Sequence, residues 1–259
     1  MSQFFIFRSV VLALFIRELK TRFGKGPFGI VWLILEPLLQ MMVFLYIFSI
    51  FQNRMMPQVP YVMFLITGTI PYYIFQHIIT GLMSSIDANK SLFAYGPVKP
   101  FDTYISRTIL EVMIYSSIFI IISFVLGWVF GIDITIYHPL EALLSLSMIV
   151  IMAFAVGVGV SVLTFFFPFF QVVVKIMLFV LYLTSGVMFP IWSLPADFQN
   201  ILQYNPMLHL IEIFRESYFS SYPHIEGVNL SFPLVFSFVM LYVGLWFYSR
   251  YRLQLGVSS

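Results

Sequence analysis

The chain has 259 residues, of which 61% are hydrophobic and 9% charged, with a net charge of +2 and no cysteine. So few charges cannot cover the core of a soluble domain, where roughly 25% of residues are charged, and the lack of cysteine excludes disulfides, thiolate catalysis and Cys-ligated metal. The composition requires a membrane, so the informative count is of apolar runs of about 20 residues.

In chain order, the first run, Val10–Ile16, has the look of a signal-peptide core. Yet Arg8 is the only basic residue before it, and RELKTRFGK follows where a small-residue cleavage site would stand. On a helical wheel Leu12, Phe15, Ile16, Leu19 and Phe23 share a stripe opposite Arg17, Glu18, Lys20, Thr21 and Lys25. This pattern predicts a basic amphipathic helix over 8–25, lying in the bilayer surface; a solvated helix flank is the alternative.

Six apolar stretches follow, each long enough to span: Val31–Phe51, Tyr61–Met83, Tyr104–Phe130, Leu140–Phe166, Phe169–Phe189 and Phe232–Ser249. Between the last two lies 190–231, where IWSLPADF and NPMLHLIEIFRE predict two short helices within 190–216. Phe198–Leu210 is too apolar for an ordinary loop and suits a re-entrant hairpin whose backbone is covered by protein. With no repeat or second domain visible, the expectation is one all-α integral membrane domain, 1–259, of six transmembrane helices.

Basic residues orient it. With the N-terminus cytoplasmic, eleven of the thirteen Lys and Arg residues lie inside, and only Arg54 and Arg215 fall outside. Both termini are then cytoplasmic. The stretch DANKSLFAYGPVKP, Asp87–Pro100, becomes the one long cytoplasmic connection between spans. Ser84 and Ser85 are placed to cap a short helix over Ile86–Ala94, with Asp87 near its positive end. Gly96 and Pro97 stop that helix and Pro100 restarts the chain. Such a helix would carry a push from a cytoplasmic partner; a linker whose charges only set topology is the alternative.

Sites for chemistry are sparse. Gly24-Lys25 lacks the earlier glycine and the following Ser or Thr of a phosphate-cradling loop, so any nucleotide is handled by another chain. His209, Glu212 and Glu216 share a helix face with zinc-ligand chemistry, although Arg215 beside them makes an ion-pair cluster the simpler reading. Ser161 in the fourth span invites comparison with an intramembrane serine protease, but the sixth span has no histidine to act as base. Glu36-Pro37 predicts a kink near the start of the first span. Lys175, inside the fifth, is either functional or snorkels to the interface. The hydroxyls of Tyr46, Tyr61, Tyr72, Tyr73 and Tyr182 suit a sugar-lined path, and an interfacial aromatic belt explains most of them equally well.

The fragments FIRELKTRFGKGPFGIVWLILEP, GTIPYYIF, NKSLFAYGPVKPFDTYISR, MFPIWSLP and NPMLHLIEIFRE, in this order and spacing, resemble the membrane subunit of capsular polysaccharide exporters. That subunit belongs to the ABC-2 group of ATP-binding-cassette permeases, and the likeness runs from Arg17 to about Arg252. Gly96 departs from the pattern, which puts any role for a charge there in doubt. The resemblance implies a homodimer with two cytoplasmic ATPase subunits in the bacterial inner membrane, and a periplasmic adaptor and outer-membrane conduit beyond. The cargo would be a lipid-anchored acidic polysaccharide; no nucleic acid is expected. The chain itself would be no enzyme and would hold no cofactor or metal, Mg-ATP being bound by the partner subunit.

The likeness also assigns roles. Ile86, Asp87, Asn89, Lys90, Leu92 and Phe93 match the coupling helix that enters the ATPase cleft. Arg17, Lys20, Arg22 and Lys25, with Lys175, would meet the anionic head group at the cytoplasmic opening. Tyr46, Tyr72, Tyr73 and Tyr182 would line the path. Trp192, His209, Glu212, Arg215 and Glu216 would form the periplasmic exit. The same fold could instead move O-antigen, teichoic acid, a lipid or a drug. A membrane-embedded polysaccharide-modifying enzyme would need converging intramembrane His, Asp or Glu, where the only ionisable candidates are Glu36, Glu111 and Lys175, and a secondary transporter would need midplane carboxylates.

The topology is testable because the chain has no cysteine of its own. Cysteines at Ser2, Asn89 and Ser258 should resist an impermeant thiol reagent applied outside intact cells, and one at Gln58 should react. Labelling at the 87–100 loop from outside would overturn the orientation.

Overall fold

The computed structural model describes residues 3–23, 59–93 and 98–257, together with nine positions between 31 and 47. Those residues form helices and connecting turns, with no strand among them. The elements are α1 (Gln3–Phe23), α2 (Tyr61–Met83), α3 (Ser85–Asn89) with a 3₁₀ turn at Lys90–Leu92, α4 (Pro100–Phe130), α5 (Pro139–Phe166) and α6 (Phe170–Thr184). A second 3₁₀ turn, Ile191–Ser193, leads to α7 (Ala196–Leu202), α8 (Pro206–Tyr218) and α9 (Ser231–Val257).

Four of these, α2, α4, α5 and α9, are long and apolar enough to cross a bilayer, so the chain is a multi-pass membrane protein. The expected first span, including Glu36 and Pro37, lies mostly outside the described residues; its nine described positions, Val31 to Ile47, are helical. The fifth is shorter than expected. α6 stops at Thr184 after 15 residues, about 22 Å of helix against the roughly 30 Å hydrocarbon core. Ser185 follows, and then Gly186 with φ 67°, a left-handed backbone that glycine adopts without strain. Asn205 locks this end by donating to the hydroxyls of Thr184 and Ser185 at 3.1 and 2.9 Å. Its carbonyl oxygen caps α8 by accepting from Met207 N–H at 2.9 Å, with Pro206 at the first helical position.

Helix starts follow local chemistry. α4 begins at Pro100, four residues earlier than the apolar run, because Asp102 accepts from the Lys99 N–H at 2.9 Å. It ends at Gly131, φ 63°. α3 begins at Ser85 rather than Ile86, and Ala94 lies outside the described residues. The serines do not cap it: Ser84 Oγ donates back to Thr80 and Gly81 carbonyls, and Ser85 Oγ to Leu82. The reason lies in α2, whose last four carbonyls need donors. Thr80 O receives Ser84 N–H, Gly81 O receives Arg107, Leu82 O receives Ser85 and Met83 O receives Thr164.

α5 is the centre of the bundle, and small residues let its neighbours approach. A Cβ on Gly157 would meet Leu82 of α2 at 2.9 Å. On another face of α5, a Cβ on Gly159 would lie 3.7 Å from Gly244 Cα of α9. A Cβ on Gly244 would sit 3.1 Å from both Ala155 O and Gly159 N. These are backbone atoms that cannot swing away, so Gly244→Leu should force the helices apart. The expected cost is about 1–3 kcal/mol, read as a lower unfolding temperature in detergent, whereas Val243→Leu, at an exposed neighbouring position, should change little.

Candidate functional site

Polar groups gather at the two ends of the bundle. At the end carrying α1 and α3, α1 lies along α4, with part of the stripe read from the sequence packed against the core and part exposed. Leu14 is buried, with Phe15 and Leu19 packed beside it, whereas Leu12 and Ile16 are exposed with Phe5, Ile6 and Phe7. Burial of Leu14 rather than Leu12 turns Arg17, Glu18 and Arg22 toward the protein. The two guanidinium nitrogens of Arg22 bind the Glu111 carboxylate at 2.9 and 3.2 Å. Glu18 Oε1 accepts from Arg107 Nε and Nη2 at 3.1 and 3.0 Å. Arg17 Nη2 donates to Asn89 Oδ1 at 2.5 Å.

The coupling candidates therefore divide. Ile86, Asn89 and Phe93 are buried against the body, Leu92 is half-buried, and Asp87 and Lys90 are exposed. Burial makes Asn89 a poor labelling site, since a cysteine there would be shielded on either side of the membrane; Ser91, exposed, replaces it. Among the head-group candidates, Lys20 and Lys175 are exposed, Arg17 and Arg22 are engaged as above, and Lys25 lies outside the described residues. Of the tyrosines, Tyr46 is exposed, while Tyr72, Tyr73 and Tyr182 are buried inside this one chain. Tyr72 OH donates to Leu178 O and its ring meets Tyr182 edge-on at 5.1 Å. Ser161, the residue that invited the protease comparison, donates to Tyr104 OH at 2.6 Å and to Val158 O at 2.9 Å.

At the opposite end the exit candidates form a keystone around Arg215, which is fully buried. Its Nη1 donates to Gly186 O at 2.7 Å and to Glu212 Oε1 at 3.0 Å. Its Nη2 donates to Phe64 O at 3.1 Å and Val187 O at 3.0 Å, and the guanidinium lies 3.5 Å above the Phe64 ring. Glu212 also accepts from Tyr222 OH at 2.6 Å, and Tyr222 meets Trp192 edge-on at 5.0 Å. Burial pushes the Glu212 carboxyl up, while the guanidinium and the tyrosine hydroxyl pull it down. His209 stands apart: its Nδ1 accepts from Asn229 N–H at 3.0 Å, so its Nε2–H donates to Gln203 O at 2.7 Å. Glu216 instead pairs with exposed His224 at 2.8 Å. The three zinc-type residues thus face different partners, and no metal-holding group occurs among the described residues.

Sequence reasoning missed Glu18, Arg107, Gly68 and Tyr222. An acid in an apolar helix demands a base, which would have paired Glu111 with something basic but not chosen Arg22. Gly68 carries no sequence signal, yet a Cβ there would lie 2.3 Å from Arg215 Nη2. Gly68→Ala should therefore displace the guanidinium and resemble Arg215→Met, which strands a buried carboxylate at about 3–5 kcal/mol. The double variant should be hardly worse than either single one in detergent melts, because both remove the same interaction.

Comparison with known proteins is consistent along the whole chain. The family profile of the ABC-2 type transporters matches residues 9–219. The polysialic acid transport protein KpsM of Escherichia coli is 38% identical over 247 residues, covering 95% of each chain. The capsule polysaccharide export inner-membrane protein CtrC of Neisseria meningitidis serogroup A is 30% identical over 94% of this chain and 91% of its own. The O-antigen export system permease protein RfbA of Klebsiella pneumoniae is 24% identical over 91% and 89%.

Proposed function

The chain belongs to the ABC-2 type transporter family, and on that premise we propose that it is the membrane subunit of an exporter of lipid-anchored, acidic capsular polysaccharide at the bacterial inner membrane. The observation that carries the cargo reading is the end-to-end similarity to a polysialic acid transport protein, 95% of both chains. The reading includes a homodimer of six-span subunits with cytoplasmic termini. Two ATPase subunits dock on α3 and bind Mg-ATP, and a periplasmic adaptor and outer-membrane conduit lie beyond. O-antigen is the second reading, favoured by the similarity to RfbA.

The geometry supports separate tasks along α3 and α1. Asp87 and Lys90 offer opposite charges to solvent on a short helix whose other face is anchored, the form expected of a surface gripped by an ATPase. Lys20 and Lys175 are the described, exposed members of the basic set, and each attracts an anionic head group by about 1 kcal/mol near the membrane surface. Inside the bundle, fixed charges are few and aromatic faces many, which suits a polymer that must slide without being trapped.

Deleting the gene should leave full-length anionic polymer in the cytoplasm and strip it from the cell surface. Complementation with Asp87→Lys plus Lys90→Glu should restore the protein to the membrane without restoring export, and Lys20→Gln plus Lys175→Gln should restore export partially. Accumulation of a small lipid or drug with unchanged surface glycan would overturn the polysaccharide reading, and accumulation of O-antigen would favour the second one.

A further inference from the structure

We propose that Glu18 is a positioning residue that makes α1, α3, the end of α2 and the start of α4 move as one block when α3 is pushed. The inference rests on the reading of α3 as the ATPase contact and adds the means by which its displacement leaves the loop.

The geometry converges on one oxygen. Glu18 Oε1 receives Arg107 Nε at 3.1 Å, Arg107 Nη2 at 3.0 Å and Asn89 Nδ2 at 3.3 Å, with Arg17 Nη2 at 3.6 Å. Each donor comes from a different element or reaches one. Asn89 sits on α3, with its second amide hydrogen on Ser85 O at 2.8 Å and its oxygen taken by Arg17. The amide is therefore fully used, with its oxygen toward the cation and its nitrogen toward the carboxylate, the only orientation both charges tolerate. Arg107 sits on α4, and its Nη1 grips the end of α2 through Gly81 O at 2.6 Å and Ser84 Oγ at 3.0 Å. One turn further along α1, the bidentate Arg22–Glu111 pair repeats the tie to α4. Glu18 and Arg107 side chains are only 13% and 11% exposed, so the joint is weakly screened by solvent.

A helix of five residues hung between two spans by backbone alone would tilt under load and lose the stroke. Bolted through Asn89 to Glu18, it cannot tilt without dragging α1 and the start of α4. Among the described residues no side-chain hydrogen bond links α1 to α5, α6 or α9, and α5 meets the block through the neutral contacts of Thr164 with Met83 O and Ser161 with Tyr104 instead of a charged joint.

The test is made in the intact exporter with its ATPase. Glu18→Gln keeps the shape and one acceptor but removes the charge that holds two arginine contacts. Export should fall about tenfold, as expected for contacting groups in one network, while membrane protein level, ATPase co-purification and ATP hydrolysis persist. Arg107→Gln should do the same, the double variant should add little, and amide hydrogen exchange across 85–92 should speed up in each. Unchanged export and exchange in Glu18→Gln would overturn the proposal. So would a parallel fall in protein level and melting temperature, which would make Glu18 a folding element only. The Asp87→Lys plus Lys90→Glu variant separates the two readings: if it keeps its ATPase, α3 is not the contact, and the Glu18 result is then decided by exchange across α3 alone.

Discussion

A guanidinium cannot be taken out of water cheaply, since removing an ion from solvent costs several kcal/mol even after relaxation, and Arg215 is wholly buried. What offsets this is a set of acceptors around its two terminal nitrogens, one carboxylate oxygen and three backbone carbonyls from Phe64, Gly186 and Val187, with an aromatic face against the planar group, while its Nε–H is buried without an acceptor. Much else at that end follows. The carbonyls of 186 and 187 are available only because α6 ends at Thr184. The guanidinium fits only because position 68 has no side chain. Glu212 tolerates burial because Arg215 and Tyr222 both hydrogen-bond to it. One cation thus fixes α2, the turn after α6, and α8 relative to one another.

The opposite end solves a similar problem by a different route. Four basic or acidic side chains of α1 and α4 pair across the helices, and the free carbonyls that end α2 are consumed by side chains of α4, α5 and the following turn. Charge there is shared among several side chains, of which Glu111 is buried and Arg22 half-buried, instead of concentrated on one buried cation. Each of its charges keeps more than one hydrogen bond, so no single group carries the whole desolvation cost. Between the two ends the bundle is held by close backbone approach: α5 meets α2 at Gly157 and α9 at Gly159 and Gly244. In lipid, where apolar side chains gain little by leaving one apolar medium for another, such packing and hydrogen bonding replace the hydrophobic drive.

The described residues thus divide into a charged joint at one end, an apolar bundle, and a cap around Arg215 at the other. The joint exposes Asp87 of the five-residue α3 and Lys90 of the 3₁₀ turn after it, while Asn89 between them is buried.

Composition and periodicity by themselves determined the membrane class and the approximate places of the long apolar helices, because these depend on local hydrophobicity, but not the start of α4 at Pro100 or the extension of α9 to Val257. Family membership was also legible, since it is carried by the order of short fragments along the chain. Only the tertiary structure decided which charges face inward. Of the stripe read on α1, Phe15 and Leu19 pack against the core while Leu12 and Ile16 are exposed, and Leu14, outside the stripe, is buried, since a helix wheel does not know that Asn89, Arg107 and Glu111 wait on other elements. It also decided that α6 ends early, because the Gly186 turn is stabilised by Arg215, 29 residues away. Pairings between distant residues leave no periodic trace in one sequence: burial energy is local in origin, but the partner that satisfies a buried charge is chosen by the fold.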